Sequence, residues 1–237
     1  MSSRPSIEHA AIPARPADDD GDTCYDGAVS TLLHHHTVDL ILWSVVGFLA
    51  GSVPFGLLLA LAVGKTDVRT AGSGNIGATN VARVVGKKLG VVTLVLDTLK
   101  GALPIIVVTH ITPTSTDPAL VALHGATVGL CALLGHCFTP WLRGRGGKGV
   151  ATGLGVLLAL QPKVALYGLV VFVIFFVISG KKVSAASLAA AVIVVIALFV
   201  RGPVDESLLP VLLCLFVIVV RHKDNIRRLI RREEQGL

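Results

Sequence analysis

Long apolar stretches alternate with short polar connections along most of this chain. There are seven of them, at roughly 38–63, 87–110, 117–137, 149–161, 163–179, 183–201 and 207–221. A membrane-spanning helix needs roughly 20 apolar residues, and backbone polar groups inside a bilayer must be paired. The pattern therefore predicts an all-α integral membrane protein with about seven transmembrane helices. The fourth segment is short, so it is expected to be partly inserted or to merge with the fifth around Pro162.

Composition supports this prediction. Hydrophobic residues make up 53% of the 237 residues, only 15% are charged, and the mean hydropathy is +0.76. A soluble domain usually carries about 25% charged residues. The four cysteines form no CxxC pair and no zinc spacing, so we predict neither a metal site nor a cofactor.

The first 36 residues differ from the rest of the chain. They hold two arginines against six acidic residues, a net charge of −4; since the whole chain carries +6, the remainder carries +10. We expect residues 1–36 to form a disordered acidic tail, residues 37–232 a seven-helix membrane domain, and residues 233–237 a cytoplasmic C-terminal tail. His34, His35 and His36 could bind a metal, but a solvated polar run is the favoured interpretation.

Basic residues predict the orientation. Of the 21 lysines and arginines, 16 lie in the connections 64–86, 138–148 and 180–182, at the ends of the flanking helices, or in the C-terminal tail. The positive-inside rule places this set in the cytoplasm and the N-terminus outside. An odd number of spans is then required, and seven fits. Both glycine-rich connections fall on the cytoplasmic side.

The first of these connections runs from Arg69 to Arg83 and includes Gly72-x-Gly74-x-x-Gly77. No predicted strand precedes the glycines, so a dinucleotide fold is rejected. Glycine lets backbone N–H groups approach an anion, and the interspersed Arg, Ser, Thr and Asn side chains add charge and donors. We favour a phosphorylated ligand over a flexible linker, with candidate contacts from Arg69, Ser73, Gly74, Asn75, Thr79, Asn80 and Arg83.

The second connection reads Arg143-Gly-Arg-Gly-Gly-Lys-Gly149. It is not a Walker A motif, because glycine rather than Ser or Thr follows the lysine, so ATP hydrolysis is poorly supported. An anchor for lipid headgroups would not need four glycines in six residues. We therefore favour anion binding by Lys148 together with Gly146, Gly147 and Gly149; neither a nucleotide nor nucleic acid is expected as a ligand.

Polar residues at three other places are expected near these loops. Asp97 and Lys100 share one helix face inside a span, where charges are costly; an internal ion pair and a face open to the site are equally supported. His136 precedes the second loop. His222 and Asn225 share a face at the cytoplasmic end of the last span.

Taken in order, these motifs resemble the bacterial acyl-phosphate:glycerol-3-phosphate acyltransferase family (PlsY) over roughly residues 38–232. The acidic tail lies outside the family pattern, and Arg143-Gly-Arg145 is more basic than that pattern. The motifs that carry the resemblance are Gly51-Ser-Val-Pro-Phe-Gly56, Asp67-Val-Arg69, Gly72-Ser-Gly-Asn-Ile-Gly-Ala-Thr-Asn80 with Arg83, Asp97-Thr-Leu-Lys100-Gly101, Gly135-His136, Gly146-Gly-Lys148-Gly-Val-Ala-Thr152, Val183-Ser-Ala-Ala-Ser187 and His222-Lys-Asp-Asn225-Ile-Arg227.

The resemblance implies an enzyme of the bacterial cytoplasmic (inner) membrane whose site faces the cytoplasm. It would transfer an acyl group from acyl phosphate to the 1-hydroxyl of sn-glycerol 3-phosphate. The products would be 1-acyl-glycerol 3-phosphate (lysophosphatidic acid) and phosphate, in the first acylation of phospholipid synthesis. Membrane lipid and a soluble upstream enzyme that makes the acyl phosphate are the implied partners.

The resemblance also implies roles for individual residues. Phosphate binding is expected from Arg69, Ser73, Asn75, Lys148 and Ser187. His222 and Asn225 would hold the glycerol or orient its hydroxyl, and Lys148, His222, Asn225 and Arg69 form the expected catalytic set. Lys100 and His136 are expected among the substrate contacts, with the loop residues named above. Which loop binds which phosphate is left open.

No Ser-His-Asp arrangement and no His-x4-Asp motif is visible. An acyl phosphate is already activated, so we expect direct attack with the leaving phosphate accepting the proton. His222 as general base is the alternative. A phosphate transporter is the competing function, but it predicts inverted repeats, which the sequence does not display.

Overall fold

The computed structural model describes residues 21–111, 115–200 and 206–237, with side chains described from residue 36 onward. The chain divides into two units, 1–37 and 38–237. Every regular element in the described ranges is helical, which confirms the all-α class. The helices are α1 Gly21–Ser52, α2 Phe55–Ala62, α3 Ala78–Val84, α4 Lys87–Ile106, α5 Pro118–Cys137, α6 Val150–Leu160, α7 Pro162–Ile178, α8 Val183–Val200, α9 Leu208–Arg221 and α10 Lys223–Ile230.

Helix α1 begins at Gly21, inside the predicted acidic tail. Residues 1–20 lie outside the described residues, as do the side chains of His34 and His35. The proposed domain boundaries therefore stay predictions.

Each of the seven predicted apolar segments is built on helices. Four spans among the described residues are long and apolar enough to cross a membrane: His36–Ala62, Lys87–Ile111, Pro118–Leu142 and Val183–Val200. Helices α6, α7 and α9 are apolar but shorter, with 11, 17 and 14 residues. The protein is an integral membrane protein, whereas the number of seven crossings and the orientation stay predictions.

Proline sets two of the helix boundaries. The expected merger of the fourth and fifth segments is wrong: α6 ends at Leu160, Gln161 adopts φ −138° and ψ 64°, and Pro162 is the first residue of α7. Proline disfavours helical geometry in the residue before it and lacks an N–H, so it starts a helix more readily than it continues one. Pro54 likewise separates α1 from α2, and at this break the Val53 carbonyl accepts hydrogen bonds from the Phe55 N–H at 3.1 Å and from Lys100 Nζ at 2.8 Å.

The helices around the site pack closely through small residues. Helix α4 lies against α6, where a Cβ on Gly101 would overlap the Thr152 carbonyl and a Cβ on Gly155 would overlap the Thr98 carbonyl. An apolar core joins α5, α6, α7, α8 and α9 through Leu157, Val164, Val194, Val211 and Leu215, among others. These contacts determine where the ends of the helices meet.

We expect Gly155→Ala to destabilise the protein by about 1–3 kcal/mol, because the new methyl group meets the Thr98 backbone, which cannot move without shifting α4. Gly153→Ala is the matched control on the same helix, since its Cβ would meet only the ends of the Ile218 and Leu133 side chains. Thermal unfolding in detergent measures the difference. Equal melting temperatures for the two variants would contradict the proposed backbone contact.

Candidate active site

A cavity of about 630 Å³ lies where the two glycine-rich loops meet the ends of several helices. Its wall includes both loops, α4, the beginnings of α6 and α8, the junction of α9 with α10, and the last residues of the chain. The structure thus brings together most of the predicted site residues. Those that line the cavity are Ser73, Asn75, Thr79, Asn80, Arg83, His136, Lys148, Gly149, Ser187, His222 and Asn225.

Five predicted site residues do not line the cavity: Arg69, Gly74, Lys100, Gly146 and Gly147. Arg69 forms a bidentate ion pair with Asp67. The Arg69 Nη2 lies 2.6 Å from Asp67 Oδ2, and the Arg69 Nε lies 2.9 Å from Asp67 Oδ1. Hydrogen bonds from Arg69 hold the pKa of the Asp67 carboxyl at about 2. A phosphate contact from Arg69 would require its guanidinium to leave this carboxylate.

Asn80 shapes the first loop from inside. Its Oδ1 accepts the Ser73 N–H at 2.8 Å, and its Nδ2 donates to the carbonyls of Val68 at 2.8 Å and Ala71 at 3.1 Å. The side chain is buried, so its amide organises the loop rather than offering free donors to a ligand. Gly72, with φ +61°, makes the turn that brings Ser73 to this amide.

The second loop leads directly into a helix N-terminus. Gly149 adopts a left-handed conformation, φ +84°, immediately before α6, whose first N–H groups have no partner within the helix. Such a terminus favours anions. Lys148 lies beside it and lines the cavity; burial lowers the pKa of this lysine to about 8, against the opposing influence of Glu234. The loop therefore combines a cation with converging backbone donors.

His222 lines the cavity. It is 2% exposed, and its Nδ1 lies 2.8 Å from the Ile218 carbonyl, which can only accept a hydrogen bond. Nδ1 therefore carries the proton, and Nε2 is the acceptor in the neutral ring. Burial lowers the pKa of His222, and the hydrogen bond to Ile218 opposes that shift.

The sequence analysis missed the role of the C-terminal residues. Glu234 accepts hydrogen bonds from Ser184 at 2.7 Å, Asn225 at 3.0 Å and Arg228 at 2.9 Å, and Asn225 also donates to Ser184. Burial alone would raise the pKa of Glu234, but these hydrogen bonds outweigh it and the pKa is lowered. Residues 233–237, predicted only as a tail, thus form part of the cavity wall. Nothing in the local sequence distinguishes Glu234 from Glu233.

A buried ion pair lies behind the site. Asp97 and Lys100 are 2% and 5% exposed, and Lys100 Nζ lies 2.9 Å from Asp97 Oδ1 and 2.8 Å from the Val53 carbonyl. His136 Nδ1 lies 3.7 Å from the same Asp97 oxygen. Both interpretations therefore hold in part: the two charges are paired, and Asp97 also lines the cavity with His136, whereas Lys100 does not.

A second, apolar cavity of about 170 Å³ adjoins the first between α6, α7, α8 and α9. The two cavities share Leu94, Val150, Ala151, Phe172 and Ser187 in their linings. The deeper wall contains Leu154, Leu169, Val194 and Leu215, among others. A ligand with an anionic head and an apolar tail matches this pair of cavities.

Sequence comparison finds the same family along most of the chain. A family model described as glycerol-3-phosphate acyltransferase matches residues 41–232. A glycerol-3-phosphate acyltransferase of Myxococcus xanthus is 48% identical over 191 residues, which cover 81% of this chain and 96% of the relative. One of Clostridium acetobutylicum is 37% identical over 197 residues, covering 83% and 98% respectively.

Two solved structures are similar as well. One is PlsY, an integral membrane glycerol 3-phosphate acyltransferase, in its glycerol 3-phosphate form. Its TM-score is 0.74 at 36% identity, over 84% of this chain and 96% of that one. The lysophosphatidic acid form of PlsY has a TM-score of 0.71 at 37% identity, over 84% and 95% of the two chains.

We expect anion binding to depend on the protonation of Lys148. Its ammonium is charged below a pKa of about 8 and neutral above it, so sulfate affinity should fall by up to about tenfold per pH unit as the pH rises through 8. Calorimetric titration of the purified protein with sulfate measures this. Lys148→Arg, whose charge is independent of pH, is the control. A pH-independent affinity of the wild-type protein would contradict this assignment.

Proposed function

The chain belongs to the glycerol-3-phosphate acyltransferase family, and on that premise we propose that it acylates the 1-hydroxyl of sn-glycerol 3-phosphate with acyl phosphate as donor. The products are 1-acyl-glycerol 3-phosphate and inorganic phosphate. One observation carries the proposal: a single cavity is bordered by both glycine-rich loops and adjoins an apolar cavity. Each loop could bind the phosphate of one substrate, and the apolar cavity could hold the acyl chain of the donor.

Cations from several elements of the cavity lining support the binding of two phosphates. Arg83 and Lys87 belong to the side of the first loop, while Lys148 and Arg228 belong to the side of α6 and α10. Two phosphate groups in one cavity repel each other unless each has its own cationic partners. Measuring the KM of each substrate in variants of each loop would show which loop binds which phosphate.

The apolar cavity supports a long-chain acyl donor. Ser187 and Phe172 border both cavities, so an acyl phosphate could place its phosphate in the polar cavity and its chain among Leu154, Leu169 and Val194. Burial of the chain contributes about 0.8 kcal/mol per methylene group. This binding energy would hold the reactive carbonyl between the two loops.

Chemistry at this site needs no covalent enzyme intermediate. The 1-hydroxyl oxygen attacks the acyl carbon, a carbon–oxygen bond forms, and the bond between that carbon and the phosphate oxygen breaks. The departing phosphate takes the hydroxyl proton. Lys148 and the free N–H groups at the start of α6 stabilise the charge on that phosphate, and placement of the two substrates supplies much of the remaining acceleration.

The proposed setting is the bacterial inner membrane, with the site open to the cytoplasm. The concentration of basic residues near both loops supports that orientation. Glycerol 3-phosphate would then enter from the cytoplasm, and a soluble enzyme would supply the acyl phosphate. No cofactor is proposed.

Purified protein should release phosphate from palmitoyl phosphate only when glycerol 3-phosphate is present, and lysophosphatidic acid should appear in equal amount. Lys148→Ala should lose at least about 100-fold in kcat/KM, because a half-buried charged donor is removed from the phosphate site. Lys163→Ala, at an exposed lysine at the start of α7, should retain activity. Equal use of palmitoyl-CoA, or full activity of Lys148→Ala, would overturn the proposed donor or the proposed clamp.

His222→Ala should reduce kcat by only about tenfold and leave the pH profile unchanged if the leaving phosphate takes the proton. General base catalysis contributes typically 10²–10⁴-fold, so its loss would be larger. His222→Gln, which can hydrogen-bond but is not a base, should retain more activity than His222→Ala. A loss above about 100-fold in both variants, with a changed pH profile, would instead make His222 the base.

A further inference from the structure

Arg221 connects the last span to the second glycine-rich loop. It is the final residue of α9; its Nη2 donates to the Gly146 carbonyl at 2.9 Å and its Nε donates to the Gly147 carbonyl at 3.1 Å. Its guanidinium also lies over the Phe138 ring, 5.4 Å from the centroid. In the sequence analysis this arginine counted only toward the orientation in the membrane.

These two hydrogen bonds determine the direction of the loop peptides. In a trans peptide the carbonyl of one residue and the N–H of the next point in opposite directions. With the Gly146 carbonyl on Arg221, the Gly147 N–H points the other way and donates to the His136 carbonyl at 3.0 Å. With the Gly147 carbonyl on Arg221, the Lys148 N–H is directed away from the arginine. Lys148 and Gly149 line the cavity, whereas Arg221 does not.

The opposite side of the loop is held by His136. A Cβ on Gly147 would overlap the His136 imidazole, and a Cβ on Gly146 would overlap the His136 carbonyl. The loop is therefore enclosed between the end of α5 and the end of α9. Both glycines are buried, so the surrounding atoms leave no space for another backbone conformation of the loop.

We propose that Arg221 is a positioning residue that orients the backbone N–H and side chain of Lys148 toward the substrate phosphate without contacting the substrate itself. This inference rests on the proposed function. Two carbonyl oxygens are bound by two nitrogens of one rigid planar group, a geometry that lysine cannot reproduce with its single ammonium. The contribution of Arg221 thus depends on the shape of the guanidinium and not only on its charge.

The test compares Arg221→Lys and Arg221→Ala with Arg227→Lys and Arg227→Ala. Arg227 lies six residues further along, on α10; it is 72% exposed and, among the described residues, its one ion pair is with Asp224. In Arg221→Lys we expect the KM of one phosphorylated substrate to rise about 10- to 100-fold while the KM of the other stays unchanged. The Arg227 variants should match the wild type in both. Unchanged KM values in Arg221→Lys would overturn the proposal.

A second measurement does not depend on catalysis. Hydrogen–deuterium exchange of the peptide covering residues 143–152 should be faster in Arg221→Lys than in the wild type or Arg227→Lys, with the rest of the bundle unchanged. Sulfate affinity should fall in the same variant. Wild-type exchange and sulfate affinity in Arg221→Lys would overturn the positioning role. If the wild-type protein transfers no acyl group, the proposed function fails, but these two measurements still test Arg221.

Discussion

Irregular backbone next to a membrane must have its polar groups paired, and the arrangement of this protein around its cavity follows from that constraint. Two glycine-rich loops lie among helices whose outer faces are apolar, where an unpaired carbonyl or N–H costs several kcal/mol, on the order estimated for polar groups in lipid. Asn80 pairs the first loop internally, while Arg221 and His136 pair the second loop from two sides. The N–H groups at the start of α6 remain, and in the proposed function a substrate phosphate pairs them.

The same constraint explains why charged groups are buried in pairs or networks here. Lys100 neutralises Asp97 and at the same time donates to the Val53 carbonyl at the break between α1 and α2. Glu234 joins Ser184, Asn225 and Arg228, and so ties α8 to α10 beside the cavity. Among the described residues, Lys148 forms no such close ion pair, and burial lowers its pKa to about 8. This incompletely compensated cation is the group proposed to meet the substrate phosphate.

Close packing between two helices also determines how the site is arranged. Gly101 and Gly155 allow α4 and α6 to touch at backbone distance, which brings Asp97 on α4 near Lys148 and Gly149 before α6 at the cavity wall. Leucine-sized residues at this crossing would separate the first loop from the second. The two phosphorylated substrates of the proposed function would then no longer meet within reach of both loops.

Apolar periodicity, glycine clusters and the order of the motifs were sufficient to predict an all-α membrane protein, the two loops and eleven of the residues that line the cavity, because these depend on local composition and on spacing along one helix. Arg69 and Asn80 show what these patterns could not predict. Both were predicted as ligand contacts, but Arg69 is paired with Asp67, and Asn80 is hydrogen-bonded to the backbone of its own loop. The roles of Glu234 and Arg221 were not predictable, since their partners are distant in sequence: Ser184 is 50 residues from Glu234, and Gly147 is 74 residues from Arg221. The sequence by itself determined which groups can bind phosphate. Only the tertiary structure decided which of them are already paired, because pairing depends on which helix ends meet.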